Sequence, residues 1–260
     1  MIINEKAKKL IPINNFNNLY VVADFDRTLT NGKSKTSWSI LAGSDLVPKS
    51  YIEERQVLYD YYRPIEIDET INFNERSMLV KEWFKKHIEL FVKYQITEEI
   101  FNTAAIDLNV MEFRKGAKDF LAFLYENSIP LIIISAGIGN FIEAFLDYNN
   151  CYYDNIYVSS NKVIFKDGIA VDVADNIIHS LNKNEVSLPF DILEKLKDKN
   201  RVLLLGDQVS DLNMVKTEEN KEVLSIGFLS DDLYLETMSS NFDIVCEKDD
   251  DYNSLRKILF

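Results

Sequence analysis

The segment that decides the fold is 19–30, with the sequence LYVVADFDRTLT. Its first five residues are small, β-branched, aliphatic or aromatic, and they predict a strand buried on both faces of a parallel sheet. Asp24 and Asp26 follow at once, and ligands of open α/β sheets bind where parallel strands end. Two acids one residue apart can hold a hard cation and leave one oxygen free to attack a substrate. A capped turn is the alternative interpretation, because Asp and Thr both favour turns.

Length and composition restrict the class of protein. The chain has 260 residues, 47% of them hydrophobic, which suffices for a sizeable core and argues against disorder. Asp and Glu number 42 against 29 Lys and Arg, a net charge of −13, so we expect no nucleic acid polymer as a partner. A small anionic substrate would need local positive charge. Cys151 and Cys246 stand far apart, which fits a reducing compartment and argues against a thiolate zinc site.

The distribution of apolar residues also bears on location. The first nine residues lack the apolar core of a signal peptide, and no apolar run approaches the roughly 20 residues needed to span a membrane. We therefore expect a cytoplasmic protein with no membrane partner.

The block from residue 31 to 115 has the periodicity of helices. Apolar residues recur at helical spacing over 45–62 and 74–94, and Thr97 before two glutamates has the form of an N-cap. Little of this block predicts strand. We expect residues 31–115 to form an inserted helical cap domain over the carboxyl edge of the sheet, where a cap excludes water and adds specificity.

Strands alternate with helices in the remainder of the chain. A helix predicted near Phe120 is followed by apolar strands, and the Asp167-Gly168 pair predicts a β-hairpin. This order implies right-handed crossovers and a doubly wound, mostly parallel Rossmann-like sheet. We assign residues 1–30 and 116–260 to an α/β core domain. The predicted later strands are 131–134, 156–160, 202–205, 223–228 and 242–246.

Polar residues follow three of these strands where each strand ends. Asp24 and Asp26 follow the first, Ser135 and Asp207 follow two later strands, and Asp211 comes one turn further on. Because parallel strands align their carboxyl ends, we expect these side chains to converge at one edge of the sheet. The pattern therefore predicts a single site built from distant segments.

Phosphoryl transfer gives each of the acids a task. Mg²⁺ prefers oxygen ligands and needs few carboxylates, so Asp24 and Asp207 are candidate ligands. Asp24 can then attack phosphorus and form an aspartyl-phosphate that water hydrolyses. Asp26 can protonate the leaving oxygen and later activate that water. Asp211 can orient the metal site or hold a lysine, or it can be a first-turn acid of a helix.

The transferred phosphoryl group needs hydroxyls, amides and a cation around it. Ser135 and the backbone amides of Ala136 and Gly137, just before a predicted helix, are candidates for the first two. Lys183 is the candidate cation. An ordinary loop hydroxyl and a solvated lysine are the alternatives for Ser135 and Lys183.

Taken together, these motifs resemble those of the haloacid-dehalogenase-type (HAD) phosphohydrolases: two acids in DFDRT, a serine that ends a strand, a lysine, and GD followed by a second acid. A narrower resemblance, from about Tyr20 onward, is to the cytosolic pyrimidine 5'-nucleotidases of type III. It rests on DFDRTLT (24–30), YYRPIEID (61–68), EWFKKH (82–87), ISAGIGNFIE (134–143), IIHSLNKNE (177–185) and LLGDQVSDLNM (204–214).

The resemblance implies a magnesium-dependent phosphoric monoester hydrolase acting on UMP and CMP. It implies a metal site of Asp24, Asp26 through its carbonyl, Asp207 and Asp211, with Asp24 as nucleophile. It implies that Thr28 supports the loop and that Ser135, Ala136, Gly137 and Lys183 hold phosphate. Glu66 matches the cap glutamate that meets the base; a solvated acid is the alternative.

Several residues depart from the family pattern or are ambiguous. Arg27 replaces an apolar residue, and Lys86 replaces a small hydroxyl residue in the cap. We interpret His87 and His179 as packing or hydrogen-bonding groups, since two histidines without further ligands do not make a metal site.

Two other functions compete with this hypothesis. The same chemistry could serve phosphoserine or a sugar phosphate, and the same fold could carry a non-catalytic nucleotide-binding module. The complete set of six core residues argues against the second: Asp24, Asp26, Ser135, Lys183, Asp207 and Asp211.

Overall fold

The structure, a computed structural model, describes residues 1–107, 110–174, 177–183, 188–215, 221–248 and 250–260. Its strands are β1 (Ile2–Ile3), β2 (Leu19–Ala23), β3 (Leu131–Ile138), β4 (Ile156–Asn161), β5 (Val163–Lys166), β6 (Ile169–Val173), β7 (Arg201–Gly206), β8 (Glu222–Phe228) and β9 (Ile244–Cys246). Its helices are α1 (Glu5–Leu10), α2 (Lys49–Ile67), α3 (Phe73–Lys93), α4 (Glu98–Ala105), α5 (Ala117–Glu126), α6 (Gly139–Tyr148), α7 (Phe190–Leu196), α8 (Leu235–Asn241) and α9 (Tyr252–Leu259).

Seven of the strands form one sheet in the order β1-β9-β8-β7-β2-β3-β4. Neighbouring strands run parallel except at the edge, where β1 pairs antiparallel with β9. The prediction of a doubly wound, mostly parallel α/β sheet is confirmed. The edge pairing of β1 was not predicted, because two isoleucines are too few to show a strand period.

Strand β2 is buried on both faces along its whole length. Val21 and Ala23 pack into the hydrophobic cluster on one face of the sheet, and Tyr20 and Val22 pack into the cluster on the other face. This alternation explains the continuous apolar run, because a strand between two helical layers has no solvent-facing side.

The central place of β2 brings the candidate residues together. Ala23 pairs with Ile133 on one side and with Leu205 on the other. Strand β2 ends at this row and β7 ends one residue later, so Asp24 and Asp207 leave the sheet side by side. The N–H of Asp24 donates to the carbonyl of Leu205 at 2.9 Å. The expectation that Ser135 follows the end of a strand is wrong, because β3 continues through Ser135 to Ile138 with an irregular register against β4.

The block 31–115 is helical, as its periodicity predicts. The helix expected over 45–62 begins only after Pro48, whose extended backbone precedes the first turn, and it continues to Ile67 with Pro64 in its last turns. Helix α3 agrees with the expected 74–94 within one residue. Helices α2 and α3 pack against each other.

The hairpin β5-β6 turns at Asp167 and Gly168, both with positive φ (51° and 77°), which is the geometry that an Asp-Gly pair favours. The hairpin packs against α3, although it lies far along the chain from the block 31–115. Helix α4 instead packs against α6, where the rings of Phe101 and Phe141 stack with centroids 4.3 Å apart.

None of the helices in the described parts of the chain is long and apolar enough to cross a membrane.

Thr97 caps α4 as the sequence predicts: its side-chain oxygen accepts the N–H of Ile100 at 3.2 Å. We expect Thr97→Ala to lower the free energy of unfolding by about 1 kcal/mol, because it leaves one helix-end donor without its partner. Urea unfolding measures this change. Thr97→Ser keeps the acceptor and should unfold close to the wild type; equal losses in both variants would contradict the capping role.

Candidate active site

The loop after β2 turns sharply at Arg27. This residue has φ 63°, a left-handed conformation that is uncommon for a residue with a side chain. Its N–H donates to Oγ1 of Thr30 at 2.8 Å, which closes the turn. The turn leaves Asp24 and Asp26 facing one cavity.

Two buried side chains donate hydrogen bonds to the carbonyls of this turn. The guanidinium of Arg114, 7% exposed, donates to the carbonyl of Arg27 at 2.5 Å and to that of Thr28 at 3.3 Å. Its face lies over the ring of Phe228, 4.7 Å from the centroid. The hydroxyl of Tyr252 also donates to the carbonyl of Thr28, at 3.2 Å. These donors fix the backbone that carries the two aspartates.

Lys183 connects the acids across the sheet edge. Its Nζ lies 2.5 Å from Oδ1 of Asp24 and 2.9 Å from Oδ1 of Asp211. The other oxygen of Asp211 accepts the N–H groups of Asp207 and Gln208 at 3.1 and 3.0 Å. The hydroxyl of Thr28 makes a long contact with Asp24, 3.5 Å from Oδ2.

Three of the carboxylates are close enough to share a cation. One oxygen each from Asp24, Asp207 and Asp211 lies within 4.8 Å of the others. Burial raises the pKa of Asp24 to about 7, against the lowering effect of Lys183. Burial also raises the pKa of Asp207 well above its usual value. One lysine therefore does not neutralise the enclosed negative charge, and the donor set of hard oxygens fits Mg²⁺.

The surroundings of Lys183 favour its protonated form. Burial lowers its pKa, but Asp211 and Asp24 together outweigh this and raise the pKa above the ordinary lysine value. The lysine is thus a permanent cation at the sheet edge.

Asp26 is held from the block 31–115 rather than from the core. The N–H of Ser37 donates to both of its oxygens at 3.0 and 3.2 Å, and the hydroxyl of Ser37 donates to Oδ2 at 2.9 Å. Burial raises the pKa of Asp26, and the hydrogen bonds from Ser37 oppose that rise.

The segment after Ile134 forms the opposite wall. Ser135 Oγ accepts the N–H of Gly137 at 3.0 Å, which leaves its own proton to donate. A β-carbon on Gly137 would lie 2.0 Å from the hydroxyl of Ser37, so only glycine fits here. The carbonyl of Ala136 accepts Nε1 of Trp38 at 2.8 Å.

These groups line a cavity of about 500 Å³. Although the chain as a whole is acidic, the cavity wall contains six basic side chains, which supply the local positive charge that an anionic substrate requires. They are Arg27, Lys33, Lys35, Arg55, Arg63 and Lys183.

Aromatic side chains form another part of the cavity wall. Trp38, Trp83 and Phe84 line it, with ring centroids 4.7 Å apart for Trp38 and Phe84 and 6.0 Å for Trp83 and Phe84. Glu66 lies in the same wall, where it pairs with Arg63 and accepts the hydroxyl of Ser180 at 2.6 Å. The cavity wall thus combines charged groups with flat aromatic rings, and it includes the carboxylate of Glu66.

Three residues that the sequence analysis singled out, Lys86, His87 and His179, make contacts typical of structural side chains. Lys86 pairs with Glu82 on the surface of α3, 3.6 Å away, and is not among the described residues that line the cavity. His179 lies 3.3 Å from the hydroxyl of Ser77, and His87 is 3% exposed beside the rings of Trp38 and Trp83. Neither histidine belongs to the metal-competent group found among the described residues.

Sequence reasoning missed the residues that hold the site in place: Ser37, Trp38, Arg114 and Tyr252. None belongs to a motif with a chemical signature, and each acts through a contact with a distant segment. The sequence offered one hint: Arg114 is a basic residue between two apolar runs, a position where a charged side chain needs a buried partner. Of the resembling stretch 177–185, the last two residues lie outside the described residues.

The sequence model of the pyrimidine 5'-nucleotidase family (UMPH-1) matches residues 24–260. The chain belongs to this family. It is accordingly a phosphoric monoester hydrolase of the 5'-nucleotidase type. The match begins at Asp24 and includes all the groups described above, and it confirms the resemblance on which the sequence interpretation rests.

Related proteins agree on the reaction but differ in the base named. The human 7-methylguanosine phosphate-specific 5'-nucleotidase is 33% identical over 251 residues, which cover 93% of this chain and 83% of the relative. A crystal structure of cytosolic 5'-nucleotidase IIIB bound to cytidine is similar with a TM-score of 0.83 and 26% identity, covering 94% of this chain and 86% of that one. A substrate-bound phosphoserine phosphatase shares the fold, with a TM-score of 0.56, 19% identity, and coverage of 92% and 97%.

The buried histidine of the cavity predicts a pH dependence of stability. Burial, with a smaller effect of Arg55, lowers the pKa of His87 to about 3 from 6.5. Between these values the unfolded chain binds more protons than the folded one, so His87 costs stability as pH falls below about 6.5. From pH 7 to pH 5 the contribution of His87 to the free energy of unfolding should fall by about 2 kcal/mol, while Asp24, whose pKa burial raises to about 7, contributes in the opposite direction.

His87→Leu removes this titration. Urea unfolding at the two pH values should show a smaller acid-induced loss in the variant than in the wild type. An identical loss in both proteins would mean that His87 is not the group responsible.

Proposed function

We propose that this chain is a Mg²⁺-dependent 5'-nucleotidase that hydrolyses nucleoside 5'-monophosphates through an aspartyl-phosphate on Asp24. The observation that carries the proposal is the position of Asp24: its carboxylate contacts Lys183, lies within one cation's reach of Asp207 and Asp211, and lines a cavity that also contains aromatic side chains. Family membership supports the reaction type.

Asp24, Asp207 and Asp211 would hold the metal, with the backbone carbonyl of Asp26 as a further ligand. When bound, Mg²⁺ would screen the carboxylates and polarise the phosphate oxygens. Lys183 would neutralise a further phosphate oxygen. The hydroxyl of Ser135 and nearby amides such as that of Ala136 would donate to the remaining ones, where charge develops in the transition state.

The protein's own groups divide the reaction into two displacements. A carboxylate oxygen of Asp24 attacks phosphorus, and the bond from phosphorus to the 5' oxygen breaks. The proton of Asp26 passes to that oxygen, which leaves as the nucleoside hydroxyl. Asp26, now ionised, takes a proton from water, and the resulting hydroxide attacks the aspartyl-phosphate to release phosphate and restore Asp24.

Replacement of the nucleophile tests this scheme. Asp24→Asn keeps the shape of the side chain but removes the attacking charge, so phosphate release from CMP should fall by at least about 10³-fold. A colorimetric phosphate assay with and without EDTA measures both the variant and the metal requirement. Asp191→Asn, at an exposed acid of α7, should be as active as the wild type. Undiminished turnover by Asp24→Asn would contradict the proposal.

The base is proposed to lie against the aromatic side chains of the cavity wall, beside Glu66. Each oxygen of a carboxylate can accept two hydrogen bonds, so the contacts with Arg63 and Ser180 leave room for a donor from the base. Cytosine and 7-methylguanine both present an exocyclic amine, whereas uracil presents a carbonyl. The positive charge of 7-methylguanine would also be favoured over the faces of Trp38 and Trp83.

We therefore favour CMP over UMP within the expected UMP and CMP class, and we add 7-methylguanosine monophosphate as a substrate outside that class. The cytidine complex of the solved relative and the names of the sequence relatives are consistent with this choice. The insertion 31–115, which carries Glu66 and Trp83, would act as the cap that selects the base. The related enzyme's designation as cytosolic supports a cytoplasmic location.

A nucleotide panel tests the base preference. Glu66→Gln should lower kcat/KM about 10-fold or more for CMP and 7-methylguanosine monophosphate, with a smaller change for UMP, because a carboxylate accepts from an amine better than an amide does. Glu82→Gln, at an exposed cap carboxylate outside the cavity, is the matched control. Equal losses on all three nucleotides would count against base recognition by Glu66.

A further inference from the structure

Ser37 occupies a position that neither the sequence motifs nor the family assignment explains. It is 1% exposed and lies in the cap-entry segment, which we define as residues 31–48, between the loop 24–30 and α2. This segment leaves the core directly after Thr30. Ser37 nevertheless returns to the core and touches Asp26.

The hydrogen bonds onto Asp26 are unequally shared between its two oxygens. Oδ2 accepts both the hydroxyl of Ser37 at 2.9 Å and its N–H at 3.2 Å, whereas Oδ1 accepts only the N–H, at 3.0 Å. An oxygen that already accepts two donors is the poorer place for a proton. The arrangement therefore leaves Oδ1 to carry the proton of a neutral Asp26.

The hydroxyl of Ser37 also connects Asp26 to the opposite wall of the site. It accepts the N–H of Ile138 at 3.1 Å, so its single proton is directed to Asp26. Gly137 leaves the space that this contact needs. The next residue, Trp38, is tied to the same wall through the carbonyl of Ala136. Ser37 is thus fixed by the core and, in turn, fixes Asp26.

We propose that Ser37 is a positioning residue for the general acid, holding Asp26 so that Oδ1 delivers its proton to the leaving 5' oxygen. The inference rests on the proposed function, since it requires Asp26 to act as that acid. As the bond from phosphorus to O5' breaks, its electron pair stays on O5', which takes the proton of Oδ1. The carboxylate that remains is stabilised by the donors from Ser37.

Because Ser37 lies between Asp26 and the 135–138 wall, the orientation of the general acid depends on a residue of the cap-entry segment.

The test compares substrates that need a general acid to different extents. The nucleoside alkoxide is a poor leaving group and requires protonation, whereas p-nitrophenolate leaves without it. With Mg²⁺ present, Ser37→Ala should reduce kcat/KM for CMP roughly 10- to 100-fold, the range expected for a lost hydrogen bond to a charged group. The kcat/KM for p-nitrophenyl phosphate should change by less than about 3-fold, because kcat/KM reports formation of the aspartyl-phosphate and not its hydrolysis, in which Asp26 serves both substrates alike.

Three further variants complete the experiment. Ser37→Thr keeps the hydroxyl and should restore CMP turnover. Ser37→Cys keeps the size with a weak donor, so it should show the selective loss even where Ser37→Ala folds poorly. Ser44→Ala removes a hydroxyl of the same segment that donates to the carbonyl of Leu41 away from the cavity, and it should match the wild type on both substrates.

Equal losses on the two substrates, or no loss on CMP, would overturn the role of Ser37. A wild-type protein that releases no phosphate from any nucleotide would instead overturn the proposed function. The two failures are therefore distinguishable.

Discussion

Lys183 holds the site together through two short ion pairs with carboxylates that water scarcely reaches. Taking such charges out of water costs several kcal/mol for each ion unless opposite charge lies close by. Asp24 ends the central strand, Asp211 lies beyond β7, and Lys183 lies in the described stretch 177–183 that follows the hairpin. The contact therefore exists only when three distant segments are in register. One positive charge against three enclosed carboxylates leaves an excess of negative charge, which suits a site built for a cation.

The backbone of the loop after β2 depends on a second set of contacts, which are hydrogen bonds to carbonyls rather than ion pairs. Arg114 and Tyr252 donate to the carbonyls of Arg27 and Thr28. Without these donors the carbonyls would lack partners in a largely buried environment, at a cost comparable to a lost hydrogen bond each. The contacts therefore stabilise the turn that places Asp24 and Asp26 in the cavity wall.

The division between core and cap is less strict than a two-domain description suggests. The proposed core carries Asp24, Lys183 and the acids after β7, the residues to which we assign the reaction. The insertion supplies Glu66 and the aromatic rings beside it, but it also sends Ser37 and Trp38 back to the sheet edge. A segment that belongs to the cap by sequence therefore takes part in arranging the chemistry of the core.

The sequence by itself determined the alternation of strands and helices, the Asp-Gly hairpin and the short motifs, because periodicity and turn chemistry act over a few residues. Parallel topology then made the convergence of Asp24, Ser135 and Asp207 predictable, since such strands share one carboxyl edge. Only the tertiary structure decided which groups position them. Ser37 meets Asp26 across a loop, and Arg114 reaches Thr28 over 86 positions of sequence. Contacts of this kind depend on how separate elements pack, and local sequence patterns carry no record of that packing.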